Sequence, residues 1–329
     1  MTCSTDLLQK KFIVVAGKGG VGKSLFSMVI SKWAAKNGKR VLLCVASGGT
    51  RNRTAFTELP PGEIKKLEQN LYALYIDPVA AREEFALIML KNRLLHKMIF
   101  KNRYVNAFLD AVPGLSEWAI LGKATFYICS DSPAFVEYYK KNNKAAIKNN
   151  KSDIIDTTFD LVVFDSPATG HGLDMLRLPS AIVSSVKNGH MRDEAQARLL
   201  LMEDKNRTAV LPVTIPEQMP VNETIELIKD LKKYKIPVYA AIINKVLEPL
   251  IDERCFKEIT DLKYKGSNWA NPAMVYHKKV ITMQENMKEF NNFAQSHNLK
   301  TAEFKNFNSN PFSADNLNYL TEQFSKQFN

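Results

Sequence analysis

The chain has 329 residues, of which 45% are hydrophobic, so it can bury a substantial core. No run approaches the about 20 apolar residues of a membrane span, and the first residues lack the charged-then-apolar layout of a signal peptide, so we expect a cytoplasmic protein. The formal net charge of +11 suggests an anionic partner, although solvated lysines on helix faces are the interpretation that we favour.

The four cysteines give no sign of a metal site or a redox motif. Cys3, Cys44, Cys129 and Cys255 are far apart in the sequence and form no C-x-x-C pair or other metal-ligand spacing. We therefore expect isolated thiols.

A glycine-rich loop follows the first predicted strand. The strand covers residues 11–16, and helical spacing begins again over residues 25–37. Between them, residues 17–24 satisfy the pattern G-x-x-x-x-G-K-[ST], which in a strand, loop and helix setting is typical of a P-loop. Glycines let successive backbone N–H groups surround an anion, and the helix adds its positive end. The predicted nucleotide-binding residues are Gly17, Lys18, Gly19, Gly20, Val21, Gly22, Lys23, Ser24 and Leu25.

The polar side chains of this loop suit a nucleotide with its metal ion. We expect Lys23 to reach the β- and γ-phosphates and Ser24 to offer its hydroxyl to Mg²⁺. Lys18 is a second cation that would stabilise negative charge near the phosphates. In the form G-K-G-G-V-G-K-S, the loop resembles the deviant P-loop of the chromosome-partitioning, division-site, arsenite-pump and tail-anchored-protein-targeting ATPases. In that group the early lysine reaches across a dimer, so the resemblance implies a catalytic Lys18 and a dimer that encloses ATP.

The next strand, residues 39–45, leads into a loop at residues 46–50. In the arsenite-pump and targeting ATPases the corresponding loop is a first switch, whose aspartate positions the attacking water. Here the aligned residues are Ser47, Gly48 and Gly49, without a carboxylate. Ser47 or Thr50 could orient a water molecule but could not easily accept its proton. The sequence therefore predicts ATP binding more firmly than ATP hydrolysis.

A third strand is expected at residues 71–78, followed by mostly helical sequence to about residue 150. The helix predicted at residues 79–100 has more apolar residues than one narrow stripe needs, so it is either buried, which we favour, or open to a client. In the targeting ATPases this position carries a client-binding helical subdomain. Residues 111–123 resemble a segment of bacterial relatives of the arsenite-pump ATPases.

A strand at residues 159–165 delivers an aspartate to a turn, in a segment similar to the D-x-x-P-T-G-H second switch of that family. We predict that Asp165 completes the Mg²⁺ site with Ser24, because both offer hard oxygen ligands. Together with Lys18 and Lys23, Asp165 is one of our three candidate catalytic residues. Gly170 is expected to serve as a hinge, and His171 to be structural rather than a base.

The last third of the chain continues the alternation of strands and helices. Strands are predicted at residues 208–215, 237–243 and 300–307, with helices at 217–233, through the 250s to the 290s, and from a cap at Ser313 to about 326. The resemblance implies that Asn244 reads the adenine edge and that Pro311 lies beside the ring. From the residues alone, Asn244 would be a turn residue.

These elements predict an α/β protein with a doubly wound, mostly parallel sheet. We expect a single P-loop domain over residues 1–329, with helical insertions at 79–150 and about 172–205. The resemblance implies ATP and Mg²⁺ as cofactors. We expect no zinc or metalloid site, because this chain departs from its relatives in lacking the cysteines that hold those metals.

The favoured function is a dimeric ATPase switch of the arsenite-pump and targeting type, acting on a protein or membrane client. The dimer could be a homodimer or a heterodimer with a related ATPase. One alternative is a hydrolysis-deficient nucleotide-binding subunit of such a heterodimer. Another is a DNA-associated partitioning ATPase, which the second switch and the long insertion disfavour, so we do not expect a nucleic-acid partner.

Overall fold

A computed structural model describes most of the protein. It covers residues 7–46, 59–90, 112, 114–128, 159–250, 252–264, 270–307 and 309–328. Within helices, it describes the backbone alone at residues 86–90, 169, 171, 190, 253, 263 and 264.

Eight strands form one sheet in the described part of the chain. They are β1 (Phe12–Ala16), β2 (Val41–Val45), β3 (Ile64–Glu68), β4 (Leu71–Tyr75), β5 (Leu161–Asp165), β6 (Thr208–Thr214), β7 (Ala240–Val246) and β8 (Lys300–Lys305). Their order across the sheet is β3-β4-β2-β5-β1-β6-β7-β8. Neighbouring strands run parallel except β3 and β4, which are antiparallel. The predicted α/β class with a mostly parallel sheet is therefore confirmed.

Helices cover both faces of this sheet. They are α1 (Lys23–Lys36), α2 (Pro78–Leu90), α3 (Leu115–Phe126), α4 (Thr169–Ser185), α5 (His190–Glu203), α6 (Gln218–Lys233), α7 (Glu253–Tyr264), α8 (Ala270–Ser296) and α9 (Ala314–Phe328). None of the described helices is long and apolar enough to cross a membrane.

The core has two layers because successive side chains of a strand point to opposite faces. In β1, Ile13 and Val15 pack with α1 and α9, where the rings of Trp33 and Phe324 lie 5.2 Å apart. Residues Phe12 and Val14 face the other layer, which contains α3, α4, α5 and α6. Strands β1, β2, β5 and β6 are buried over their full length, so they need apolar residues on both faces.

The structure corrects two strand predictions. Strand β3 was missed, because it lies at the sheet edge and three of its five residues are charged, which leaves little apolar periodicity. The strand expected third in the chain, β4, is therefore the fourth. Strand β7 begins at Ala240 and runs to Val246, so Asn244 lies inside a strand rather than in a turn.

The described helices of the predicted insertions pack in two pairs, α2 with α3 and α4 with α5. Lys123 of α3 donates hydrogen bonds to Glu84 of α2, and the Arg198 guanidinium of α5 lies 4.4 Å from the Trp118 ring centre. The part of the helix predicted at 79–100 that follows residue 90, and the predicted insertion after residue 128, fall outside the described residues. The single-domain organisation stays a prediction.

Candidate nucleotide-binding site

The P-loop joins β1 to α1 through a backbone that only glycine adopts readily. Gly17, Gly20 and Gly22 have φ angles of 146°, 86° and 105°, in the region that a side chain disfavours. At Gly17 a Cβ atom would also lie 2.3 Å from the carbonyl oxygen of Val213 in β6. The loop therefore turns close against the neighbouring strand before α1 begins.

Two residues at the end of β7 hold the carbonyl groups of this loop. The Asn244 amide donates a hydrogen bond of 2.8 Å to the Val21 carbonyl, and the Lys245 ammonium donates one of 3.1 Å to the Gly20 carbonyl. Because C=O and the following N–H point in opposite directions across a trans peptide, the N–H groups of Val21 and Gly22 face away from β7. The loop is thus held in a form that presents N–H donors, as an anion cradle requires.

The remaining predicted loop residues divide into packing and contact positions. Val21 and Leu25 are buried in the core beside α1, so their side chains anchor the loop. Gly19 and Gly20 are exposed at its tip. Any part that Leu25 takes in nucleotide binding therefore falls to its backbone.

Three polar side chains converge beneath the loop. The Ser24 hydroxyl donates a 2.6 Å hydrogen bond to Oδ2 of Asp165, which ends β5 and is completely buried. The Lys23 ammonium donates a 3.0 Å hydrogen bond to the Lys18 carbonyl. Strand β5 pairs directly with β1, which explains how residues 141 positions apart come into contact.

Burial shifts the ionisation of both charged groups. It lowers the pKa of the Lys23 ammonium, an effect that the Asp165 carboxylate opposes. It raises the pKa of the Asp165 carboxyl to about 6, against the hydrogen bond from Ser24, the charge of Lys23 and the hydroxyl of Ser27. A further positive charge beside Asp165 would offset this cost of burial.

The donor set at Asp165 fits Mg²⁺. Its Oδ1 atom is buried and has no hydrogen-bond partner in the part of the chain that the structure describes, while Oδ2 is bonded to Ser24. A buried carboxylate oxygen without a partner is costly, and a hard cation that prefers oxygen ligands would satisfy it. Ser24 and Asp165 are thus the residues that would hold the metal.

The second switch lies against the P-loop, but its backbone differs from the prediction. The N–H and hydroxyl of Ser166 both donate hydrogen bonds to the Val15 carbonyl, and α4 begins at Thr169. Gly170 is therefore in the first helical turn, and its role as a hinge stays a prediction. Gly172 is the glycine that close packing requires, because a Cβ there would lie 2.8 Å from the Pro167 carbonyl oxygen. His171 lies on α4, and its role stays a prediction.

Lys18 has a partner that sequence reasoning did not select. Its ammonium lies 2.5 Å from Oε1 of Glu223, in the second turn of α6. Both side chains are about one third exposed, at 30% and 33%. Glu223 is an ordinary surface acid in the sequence, and only its position beside the loop distinguishes it.

Comparison with known proteins places these features in a family. Residues 10–195 and 190–267 match the family model described as anion-transporting ATPase. The chain belongs to this family. The match includes the P-loop, Asp165, Glu223 and Asn244, and it confirms the predicted relationship to the arsenite-pump and targeting ATPases. Membership of an ATPase family implies ATP as the ligand of the loop.

Related ATPases cover most of the chain at low identity. The "ATPase ASNA1 homolog 1" of Paramecium tetraurelia is 25% identical over 320 residues, which is 84% of this chain and 87% of that protein. The "ATPase GET3" of Podospora anserina is 22% identical over 287 residues, 76% of this chain and 77% of its own length. The "ATPase BagA" of Mycobacterium tuberculosis is 27% identical over 241 residues, 70% of this chain and 64% of its own length.

Two further predicted features of the anion-transporting ATPase site have different outcomes. Pro311 follows β8, and because β7 and β8 are parallel it lies at the same sheet edge as the end of β7. Its contact with adenine, like that of Asn244, stays a prediction. The first-switch residues, including Ser47 and Thr50, lie outside the described residues.

A cavity of about 240 Å³ opens at the same edge, between the start of α6 and α8. Its lining combines apolar and polar side chains, among them Ile215, Gln218, Lys245, Met283, Asn286 and Asn306. Lys245 belongs both to this cavity and to the contacts that hold the P-loop. In the described part of the chain, no group of three or more His, Cys, Asp or Glu residues could hold a metal ion.

Proposed function

We propose that this anion-transporting ATPase homologue binds Mg²⁺ and ATP and hydrolyses the nucleotide, as a dimeric switch that acts on a protein or membrane client. The binding of nucleotide and metal is supported by one observation: Ser24 is hydrogen-bonded to the buried Asp165 directly beneath the P-loop. The dimer and the client rest on the family resemblance, in which the early lysine serves a partner's nucleotide.

Each residue has a defined task in this proposal. The N–H groups of Val21 and Gly22 bind phosphate oxygens, and the Lys23 ammonium leaves the Lys18 carbonyl to contact the β- and γ-phosphates. Ser24 and Asp165 hold the metal, which supplies charge stabilisation to the phosphates when it is bound. Substitution of Lys18 or Lys23 then removes a cation that opposes the charge of the transition state.

A charge-removing change in the loop tests nucleotide binding. We expect Lys23→Ala to weaken ATP binding at least 100-fold in isothermal titration calorimetry, because the ammonium makes charge-assisted contacts with two phosphates. Lys36→Ala is the matched control, since it removes an exposed lysine from the last turn of the same helix. Unchanged affinity of Lys23→Ala, with Lys36→Ala also normal, would contradict the proposal.

The alternative function is a nucleotide-binding subunit that does not hydrolyse ATP and pairs with a related ATPase. It is favoured by the sequence of the first-switch loop, which offers Ser47 and Thr50 but no carboxylate. Steady-state phosphate release by the purified chain separates the two functions. Turnover that Lys23→Ala abolishes supports the ATPase, whereas tight ATP binding without phosphate release supports the subunit.

A further inference from the structure

Both cationic side chains of the P-loop, and a third at the end of β7, donate hydrogen bonds to acceptors of the protein itself. Lys23 donates to the Lys18 carbonyl, and the Lys18 ammonium is paired with the Glu223 carboxylate. The third cation, Lys245, donates to the Gly20 carbonyl. A phosphate group that enters the loop must therefore compete with acceptors of the protein itself.

Glu223 is the acceptor that competes most directly, because it is anionic like the ligand. Its helix is firmly seated: Val221 and Ile228 are buried against β7 and α8, and the Thr224 hydroxyl donates to the Pro220 carbonyl. The carboxylate is thereby presented to the loop from a rigid element. The flexible partner of the pair is Lys18, whose side chain is the longer one and whose backbone lies in the loop.

We propose that Glu223 is a positioning residue of the nucleotide site, which holds the Lys18 ammonium beside α6 until nucleotide phosphates displace it. The inference rests on the proposed function. It adds that the Lys18–Glu223 ion pair must be broken when the nucleotide binds. A nucleotide carries several negative charges close together, so its phosphates compete with the single Glu223 carboxylate for the Lys18 ammonium. Release of Lys18 is then coupled to the arrival of the phosphates.

The expected size follows from the exposure of the pair. Ion pairs that remain partly in water contribute little, because solvent screens them, and the range for such pairs corresponds to an effect of about two- to fivefold. Removal of the Glu223 charge should therefore tighten nucleotide binding by about two- to fivefold. Removal of Lys18 should abolish this gain, since the ion pair that competes with the phosphates is then lost.

The test is a double-mutant cycle with ATP and Mg²⁺ as the probe, measured by calorimetry on the full chain. We expect Glu223→Gln to bind ATP about two- to fivefold more tightly than the wild type, and Glu223→Asp to fall back toward it. In a Lys18→Met background, Glu223→Gln should have no effect. Glu226→Gln is the matched control, because it lies on the exposed side of the same helix.

The outcomes separate the inference from the proposed function. If the wild type does not bind ATP, the proposed function fails. If the wild type binds and Glu223→Gln binds equally or more weakly, the inference fails while the proposed function stands. The inference also fails if Glu223→Gln tightens ATP binding equally in the wild-type and Lys18→Met backgrounds. Should Lys18→Met bind too weakly for the cycle, the order of Glu223→Gln, Glu223→Asp and wild type decides. Equal melting temperatures of Glu223→Gln and Glu226→Gln exclude a change in stability as the cause.

Discussion

At the scale of single residues, the site depends on positions where one atom decides what is possible. Gly17 is such a position, because it combines a positive φ angle with a carbonyl oxygen where a Cβ would lie. Asp165 is another, because one of its oxygens is bonded to Ser24 and the other has no partner among the described residues. The first makes the loop conformation possible, and the second makes a cation favourable.

The Gly17 contact can be separated from the effect of its backbone angle. Gly17→Ala must strain φ and displace the Val213 carbonyl of β6, so we expect it to lower the free energy of unfolding by about 2–4 kcal/mol. Gly38→Ala is the control: Gly38 also has a positive φ, of 82°, but a Cβ there would meet no described atom within 4 Å. Urea denaturation measures both. Equal losses for the two variants would show that the contact with β6 contributes nothing.

The charged Asp165 carboxylate should lower the stability of the folded protein in the absence of Mg²⁺. Its pKa is 3.8 in the reference state and about 6 when buried, so the folded chain binds the proton more tightly than the unfolded chain. Stability is consequently lost as the pH rises from about 4 to about 6 and stays lost above that. At pH 8, without nucleotide or Mg²⁺, Asp165→Asn should be more stable than the wild type by about 1–3 kcal/mol.

Urea denaturation at pH 4 and pH 8 tests this, with the half-exposed Asp174→Asn of α4 as control. The gain of Asp165→Asn should vanish at pH 4, where the wild-type carboxyl is protonated in the folded state. The same variant should lose Mg²⁺-dependent ATP binding, and in the wild type this binding should weaken below about pH 6 because a proton competes with the metal. A variant no more stable than the wild type at pH 8 would contradict the assignment.

At the scale of elements, the end of β7 shapes the P-loop. Asn244 and Lys245 are adjacent in the chain, and Lys245 has a φ of 57°, which few residues other than glycine adopt. This conformation occurs where the two side chains both reach carbonyls of the same loop. Strand β7 thus contacts the P-loop through Asn244 and Lys245, and α6 contacts the same loop through Glu223.

Loss of the Asn244 contact should loosen the empty loop before any nucleotide is involved. In Asn244→Ala we expect amide hydrogen exchange at residues 17–24 to speed up about 5- to 20-fold, because the Val21 carbonyl loses a buried hydrogen bond worth about 1–2 kcal/mol. Asn286→Ala is the control, since it removes an amide that donates to the Pro216 carbonyl instead. Amide hydrogen exchange is measured without nucleotide, so it reports the support of the loop by Asn244. Loss of a contact between Asn244 and adenine would lower the affinity for ATP but would not change this exchange. Unchanged exchange would show that the hydrogen bond does not hold the loop.

At the scale of the whole molecule, the strand order assembles the site. Strand β1 lies between β5 and β6, so the P-loop emerges beside Asp165 on one side and beside the start of α6 on the other. Strand β7 is one position further, and parallel strands place all these carboxyl ends at one edge. Helix α4 begins from the same edge after the second switch, and both α5 and α3 pack against it.

The elements that the sequence predicted well are those with strong local patterns. The buried strands β1, β2, β5 and β6 are short, largely apolar runs, and α1 and α6 follow the glycine-rich loop and Pro216. The edge strand β3 was missed because its side chains are mostly solvated. The turn expected around Gly170 is instead the first turn of α4, with the Gly172 N–H bonded to the Ala168 carbonyl.

The sequence by itself determined that this protein has a phosphate-binding loop and a carboxylate for its metal, because a P-loop is a local device and Asp165 ends a recognisable strand. Only the tertiary structure decided what restrains that loop. Glu223 is 205 positions from Lys18, and Asn244 is 223 positions from Val21. Such contacts depend on strand order and on the register between parallel strands, which no local pattern of residues encodes.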